Sequence, residues 1–237
     1  MAGAQLLVNC TRRFDGRFEA IRRLAETGEL GRLIHMVGHC QGVKPFPEWV
    51  ADTEGPLLHD AVHLFDIMRF FAGDAESLIG TARNPTKRFR FEDTSHAVIQ
   101  FAHDVEGIAV VDEMAEYCEF ALELNFTRGR IRLGSFAEGM WVSIPDENSE
   151  RDWWQHLEPR PLPDPAWPGT GMLRAAGNLV QAVQDGAAIR CDVHDGRASV
   201  EIITAIYASQ LQDGARIRLP LPDGPSPLEE LQSGQLL

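Results

Sequence analysis

The stretch Gly55-Pro-Leu-Leu-His59-Asp60-Ala-Val-His63-Leu-Phe-Asp66-Ile-Met-Arg-Phe70-Phe-Ala-Gly73-Asp74 decides how this chain is read. As a helix it places His59, His63 and Asp66 at i, i+4 and i+7 on one face, and lets Leu58, Val62, Phe65 and Phe70 turn towards a core. Gly73 marks its C-terminal stop. An apolar helix with three titratable groups on one side either satisfies them internally or offers them to a ligand. The sequence on both sides bears on that choice.

Upstream, Leu6-Leu7-Val8 reads as a strand. Asp15 sits where an N-cap belongs, before Phe18, Ile21 and Leu24 at helical spacing, and Arg32 to Gln41 alternates as a second strand. Lys44 to Glu54, with Pro45, Pro47 and Trp49, reads as a loop into the histidine helix. Downstream the apolar period drops to two: residues 77–81, 95–101, 107–114, 119–126, 131–133 and 140–144 read as short strands joined by short turns, which implies a largely antiparallel sheet. From Pro145 to Pro168 the chain holds six prolines and three of its five tryptophans, a composition that predicts a long irregular loop, functional or in a subunit contact. Helical spacing returns at 171–185 and 193–212, a strand closes at 216–219, and the Pro- and Gly-rich tail from Pro220 reads as a surface arm.

The 237 residues suffice for a sizeable core, and a net charge of −13, from 22 basic and 35 acidic residues, argues against nucleic-acid and anionic-membrane partners. Cys10, Cys40, Cys118 and Cys191 form no C-x-x-C pair, which fits reduced thiols in a cytoplasmic protein. The apolar opening is too short to span a bilayer. Two motifs imitate known chemistry. Gly169-Thr-Gly171 has half of a dinucleotide fingerprint, yet follows a proline-rich loop instead of a strand and lacks the third glycine. His59-Asp60-Ala-Val-His63 has the spacing of a zinc-protease helix, with Asp60 in place of the usual glutamate and a third ligand from Asp66, His39 or His96; a metal-dependent hydrolase using His59 and His63 is therefore one reading.

Several spaced motifs in order carry a stronger signal. Arg12-Arg13-Phe14-Asp15 followed by a helix and Gly28-Glu-Leu-Gly31, then Gly55 to Asp66 and Gly73-Asp74, then Asp185-Gly186, Asp195-Gly-Arg-Ala198, Ile206-Tyr207 and Arg216-Ile-Arg-Leu219-Pro220, resemble the carboxyl-terminal domain of the glucose-fructose oxidoreductase, inositol dehydrogenase and rhizopine-catabolism (Gfo/Idh/MocA) family over nearly the whole chain. The resemblance implies an α+β substrate and oligomerisation domain, a mostly antiparallel sheet with helices packed on one face, without the family's amino-terminal Rossmann domain. In these terms residues 1–10 are the remnant of a last strand and linker, 11–220 the domain and 221–237 a tail, and the resemblance implies a carboxyl-terminal portion, a truncated gene product or one component of a split enzyme.

By the same resemblance His63 is the acid or base at a substrate hydroxyl or carbonyl, and a hydride passes between that carbon and NAD or NADP, whose binding site is not in this chain. The position four residues earlier, often aspartate in the family, is His59 here, beside Asp60. Arg12, Arg13, Lys44, Trp49, His59 and Asp60 are the candidate contacts to a sugar- or polyol-like substrate, the arginine pair lying where two lobes would meet. Lys44-Pro45 is not assigned the role of the family's catalytic lysine. The expected partners are that small molecule and copies of the chain, as a homodimer or tetramer through the sheet face. Catalysis by the chain alone is expected to be absent or weak. The non-enzymatic alternative is an oligomerisation or binding module.

Overall fold

A computed structural model describes residues 4–42, 48–87, 90–134, 140–146 and 155–234. A 3-10 turn at Thr11–Phe14 leads into α1 (Gly16–Glu26), whose N-cap Asp15 accepts from the Arg17 backbone N–H at 2.9 Å. Strand β1 (Leu33–Gln41) follows, then α2 (Glu48–Thr53), a π-helical turn at Leu57–Ala61 and α3 (Val62–Ala72). The sheet continues with β2 (Ala75–Arg83), β3 (Thr94–Phe101), β4 (Val105–Asp112), β5 (Glu119–Phe126), β6 (Gly129–Gly134), β7 (Trp141–Pro145) and β8 (Leu157–Arg160). Helices α4 (Gly171–Asp185) and α5 (Val193–Leu211), the two-residue β9 (Ile217–Arg218) and α6 (Pro227–Gly234) complete the fold.

The strands form one sheet in the order β8-β7-β6-β5-β1-β4-β3-β2-β9. Strand β1 lies parallel to β4 and antiparallel to β5, and the other pairings are antiparallel among the described residues. A parallel pair needs a crossover, and the histidine helix is part of the connection that supplies it. Alternation sorts the side chains of β1: Met36, Gly38 and Cys40 turn inward and are buried, while His35, Val37 and His39 turn to the open face. Gly38 lets α3 approach β1 closely, since a Cβ there would sit 2.7 Å from a Leu64 methyl. Leu64, Phe65, Ile67 and Met68 of α3 are fully buried in the resulting core, together with Ile203 and Ile206 of α5, which lies against β2.

The mostly antiparallel sheet, the helix boundaries at α1, α4 and α5 and the glycine stop at Gly73 follow the sequence. Four local readings are corrected. Leu6–Val8 joins no strand among the described residues; its Val8 N–H donates instead to the Cys191 carbonyl at 2.9 Å. Within the stretch from 44 to 54, Glu48–Thr53 is helical. The proline-rich excursion contains β8, paired to β7 with Pro159 opposite Ser143; β8 is an edge strand, where a missing N–H on the outer side costs nothing. Residues 147–154 of that excursion lie outside the described residues. The tail after Pro220 carries α6, which packs on α5 and buries Leu231 completely. Leu231→Ala is expected to lower unfolding stability by about 2–3 kcal/mol, measured by urea denaturation; a surface arm would show no change.

Candidate functional site

The polar face of the histidine stretch is assembled from three directions. First, the π-helical turn is held from beneath by Glu92, a fully buried carboxylate. Its Oε1 accepts from the Leu57 N–H and its Oε2 from the Tyr207 hydroxyl, each at 3.0 Å. Gly55 makes this possible, because a Cβ there would lie 2.4 Å from Oε1. The wide turn and its buried anchor together set the position of His59 and Asp60; such π turns are frequent at functional sites. Second, Glu113, just beyond β4 and 2% exposed, meets His59 Nε2 at 3.0 Å and fixes the orientation of that ring.

Third, the 3-10 turn brings the arginine pair. Arg13 Nε donates to both oxygens of Asp66 at 2.9 Å, and Arg13 Nη2 lies 3.0 Å from Asp195 Oδ1 in the first turn of α5. Arg69 Nη1 donates to the Asp195 carbonyl at 3.1 Å, and Arg69 also pairs with Asp74. Arg12 goes the other way, its guanidinium carbon 3.9 Å above the ring of Phe120 on β5, an electrostatically favourable stacking. The pair is therefore split between two depressions. Arg12 borders a cleft of about 490 Å³ whose other walls are Arg17, Trp167 and the Gly169–Gly171 entry to α4. Arg13 borders one of about 560 Å³ with Arg69, Phe70 and Asp195.

His63 is half-buried, three residues before Asp66 on the same side of α3. Residues three apart on a helix have Cβ atoms about 5–6 Å apart, so the Arg13–Asp66 pair sits one turn along from the His63 ring. His59 and Asp60 thus lie one turn before His63, with the arginine turn packed alongside. Trp49, on α2, is 60% exposed. Lys44 lies outside the described residues. The other metal donors considered for the histidine pair are placed elsewhere: alternation puts His39 and His96 on the sheet face opposite α3, where both lie beside Val110, and Asp66 is taken by Arg13. Among the described residues, the group of three donor atoms lying within 4.8 Å of one another is Cys10, Asp66 and Cys191.

Glu92 and Glu113 are partners that the sequence alone did not single out, and Asp195 entered there only within the Asp195–Ala198 motif, without its role as a partner of Arg13. Asp195 had a visible signal as the N3 residue of a capping box with Asp192. Glu92 and Glu113 had none, because their positions beneath the π turn arise from β3 and β4 pairing.

Residues 18–132 match the model of the GFO/IDH/MocA C-terminal domain. This segment belongs to that family. The likeness in fold runs further. A WlbA dehydrogenase from Bordetella pertussis, solved in complex with NADH and UDP-GlcNAcA, aligns with TM-score 0.73 and 24% identity over 93% of this chain and 65% of its own. An aldose-aldose oxidoreductase from Caulobacter crescentus, solved with glycerol, gives TM-score 0.76 and 17% identity over 92% and 65%. A levoglucosan dehydrogenase in complex with NADH and levoglucosan gives 0.75 and 16% over 91% and 66%. The chain spans about two thirds of the length of each. No curated protein matches it in sequence. No helix among the described residues is long and apolar enough to cross a membrane.

Burial pushes the Glu92 carboxyl up to about 7, against the pull of the Leu57 N–H and the Tyr207 hydroxyl. A carboxyl raised in the folded state contributes stability that is complete below its unfolded value and is lost as pH rises through the folded one. A rise of this size corresponds to about 3 kcal/mol. The stability of the native protein relative to Glu92→Gln is expected to fall by up to that amount between about pH 4 and about pH 8, measured as paired urea unfolding curves; parallel profiles would contradict it.

Proposed function

We propose that this chain supplies the substrate side of an NAD(P)-dependent oxidoreductase acting on a CH–OH group of a sugar, polyol or related molecule. The observation that carries the reading is the half-buried His63, displayed between the oriented His59 and the Arg13–Asp66 pair on a helix of the GFO/IDH/MocA domain. Neighbours of this fold are solved with NADH and with sugar-type molecules, which supports the substrate class. Imidazole exchanges a proton near neutrality, so His63 takes the hydroxyl proton when the alcohol is oxidised and returns it when the carbonyl is reduced. His59, its Nε2 held by Glu113, packs one turn before His63, and Asp60 stands beside it. Arg12 lies at the neighbouring cleft, within reach of a longer or acidic substituent. Arg13 holds Asp66 in place instead of reaching outward.

The Gly169–Gly171 turn does not have the form that holds a dinucleotide. Thr170 at the glycine pair spends its hydroxyl on the α4 N-terminus, accepting from the Leu173 N–H at 3.3 Å, and the turn follows proline-rich chain instead of a strand. No step of the hydride transfer is assigned to this chain. Nuclear magnetic resonance of the purified chain tests the substrate reading: titration with a panel of sugars, polyols and sugar acids is expected to shift the His63 ring protons in a saturable manner for at least one class. His63→Asn identifies the signal. Saturable binding that leaves His63 and His59 untouched would move the site elsewhere.

A second role rests on the other face of the sheet. Ile79, Val98 and Ile108 are 37–41% exposed and lie opposite one another in register across β2, β3 and β4, with Val37 next on β1. An apolar stripe along the centre of an open sheet suits a second copy of the chain. Light scattering is expected to give a dimer or larger assembly, and Val98→Asp a smaller species with the same far-ultraviolet circular dichroism; a native monomer at high concentration would remove this role.

A further inference from the structure

Two cysteines lie against the arginine turn without serving the histidine face. Cys10 immediately precedes Thr11–Phe14, and Cys191 immediately precedes Asp192, the N-cap of α5. Both are buried, 3% and 0% exposed, in a small cluster with Phe14 and Ala175. The Val8 N–H to Cys191 carbonyl bond brings the two backbone segments side by side. Their sulfur atoms and an oxygen of Asp66 all lie within 4.8 Å of one another, and Cys191 Sγ is 3.9 Å from Asp66 Oδ1.

Three donors in contact raise the question of a cation. The charges answer against one: both oxygens of Asp66 accept from Arg13, so a fixed positive charge occupies the carboxylate, and among the described residues two thiols leave a zinc ion short of its four ligands. Two adjacent thiols lacking further donors need only each other.

We propose that Cys10 and Cys191 are a reversible cross-linking site, closed to a disulfide by a small-molecule disulfide oxidant such as glutathione disulfide. One cysteine loses its proton and attacks the oxidant, giving a protein–glutathione mixed disulfide and one glutathione thiol. The other cysteine then loses its proton and displaces the second glutathione. The protein gives up two hydrogens and two electrons, and the oxidant is reduced to two thiols. Contact with Cys191, burial and the nearby Asp66 all push the Cys10 thiol up, so the closed structure is unreactive and the reaction proceeds through opening of the segment from residue 4 to Cys10, which joins no strand among the described residues. The link joins the turn that carries Arg13 to the cap that holds Asp195, the two ends of the Arg13 ion pair. Because it closes a loop from residue 10 to residue 191, it restricts the unfolded chain strongly. This proposal stands independently of the oxidoreductase reading.

The test is a glutathione redox series on the full chain, quenched by alkylation and followed by non-reducing peptide mapping and thermal unfolding. The expected result is a peptide pair joining Cys10 to Cys191, formed at the expense of two free thiols, a raised thermal midpoint that reductant reverses, and the same link in Cys118→Ser. Cys10→Ser is expected to yield only a glutathione adduct at Cys191. The proposal is overturned if the most oxidising buffer modifies the exposed Cys118 while Cys10 and Cys191 stay free, if either pairs with Cys40 or Cys118 instead, or if the purified chain carries stoichiometric zinc on these thiols. The native peptide map decides the matter even if Cys10→Ser does not fold.

Discussion

The Arg13–Asp66 ion pair is the constraint on which the site depends. Asp66 has no exposed surface, and burial pushes its carboxyl up against the opposing pull of Arg13. A buried pair of this kind adds little net stability over an apolar replacement, but losing one partner leaves an uncompensated charge at a cost of about 3–5 kcal/mol. Its contribution is therefore to position. It locks the 3-10 turn onto α3, and through Asp195 it ties both to the start of α5, so that three segments distant in sequence share one polar junction. The face that carries His63 is oriented by that junction.

The sheet separates two tasks by alternation alone. From His35 onward, odd positions of β1 look outward and even positions look toward α3, so the same strand contributes His39 to the open face and Gly38 to the helix contact. A glycine at that crossing lets Leu64 approach the central strands, and the histidine helix is thereby seated low enough for Glu92 and Glu113 to reach it from the ends of β3 and β4. The helix face holds the polar chemistry; the opposite face presents aliphatic side chains in register.

Charge is handled differently at the two ends of the histidine stretch. At its carboxyl-terminal part, Asp66 is balanced by a full guanidinium charge. At its amino-terminal part, Glu92 has backbone and hydroxyl donors with His59 nearby, and its proton is retained to about neutral pH. Burial therefore acts on both carboxyls, opposed at Asp66 by the Arg13 guanidinium and at Glu92 by the Leu57 N–H and the Tyr207 hydroxyl.

By itself the sequence determined the element types, because periodicity, caps and glycine stops act over a few residues: Asp15 and Gly73 each mark a boundary the structure keeps, and the helical spacing at 171–185 and 193–212 falls on α4 and α5. It also placed His59, His63 and Asp66 on one side of a helix, since that follows from helical pitch. Only the tertiary structure decided that Leu6–Val8 stays out of the sheet, that β1 runs parallel to β4, that Pro159 sits in an edge strand and that the tail buries Leu231. Those outcomes depend on which surfaces remain unpaired after the sheet has closed, and no local pattern encodes them. The partners of the polar face were hidden for the same reason: Arg13 finds Asp66 across 53 residues and His59 finds Glu113 across 54, and a buried charge takes whichever partner the packing brings within reach.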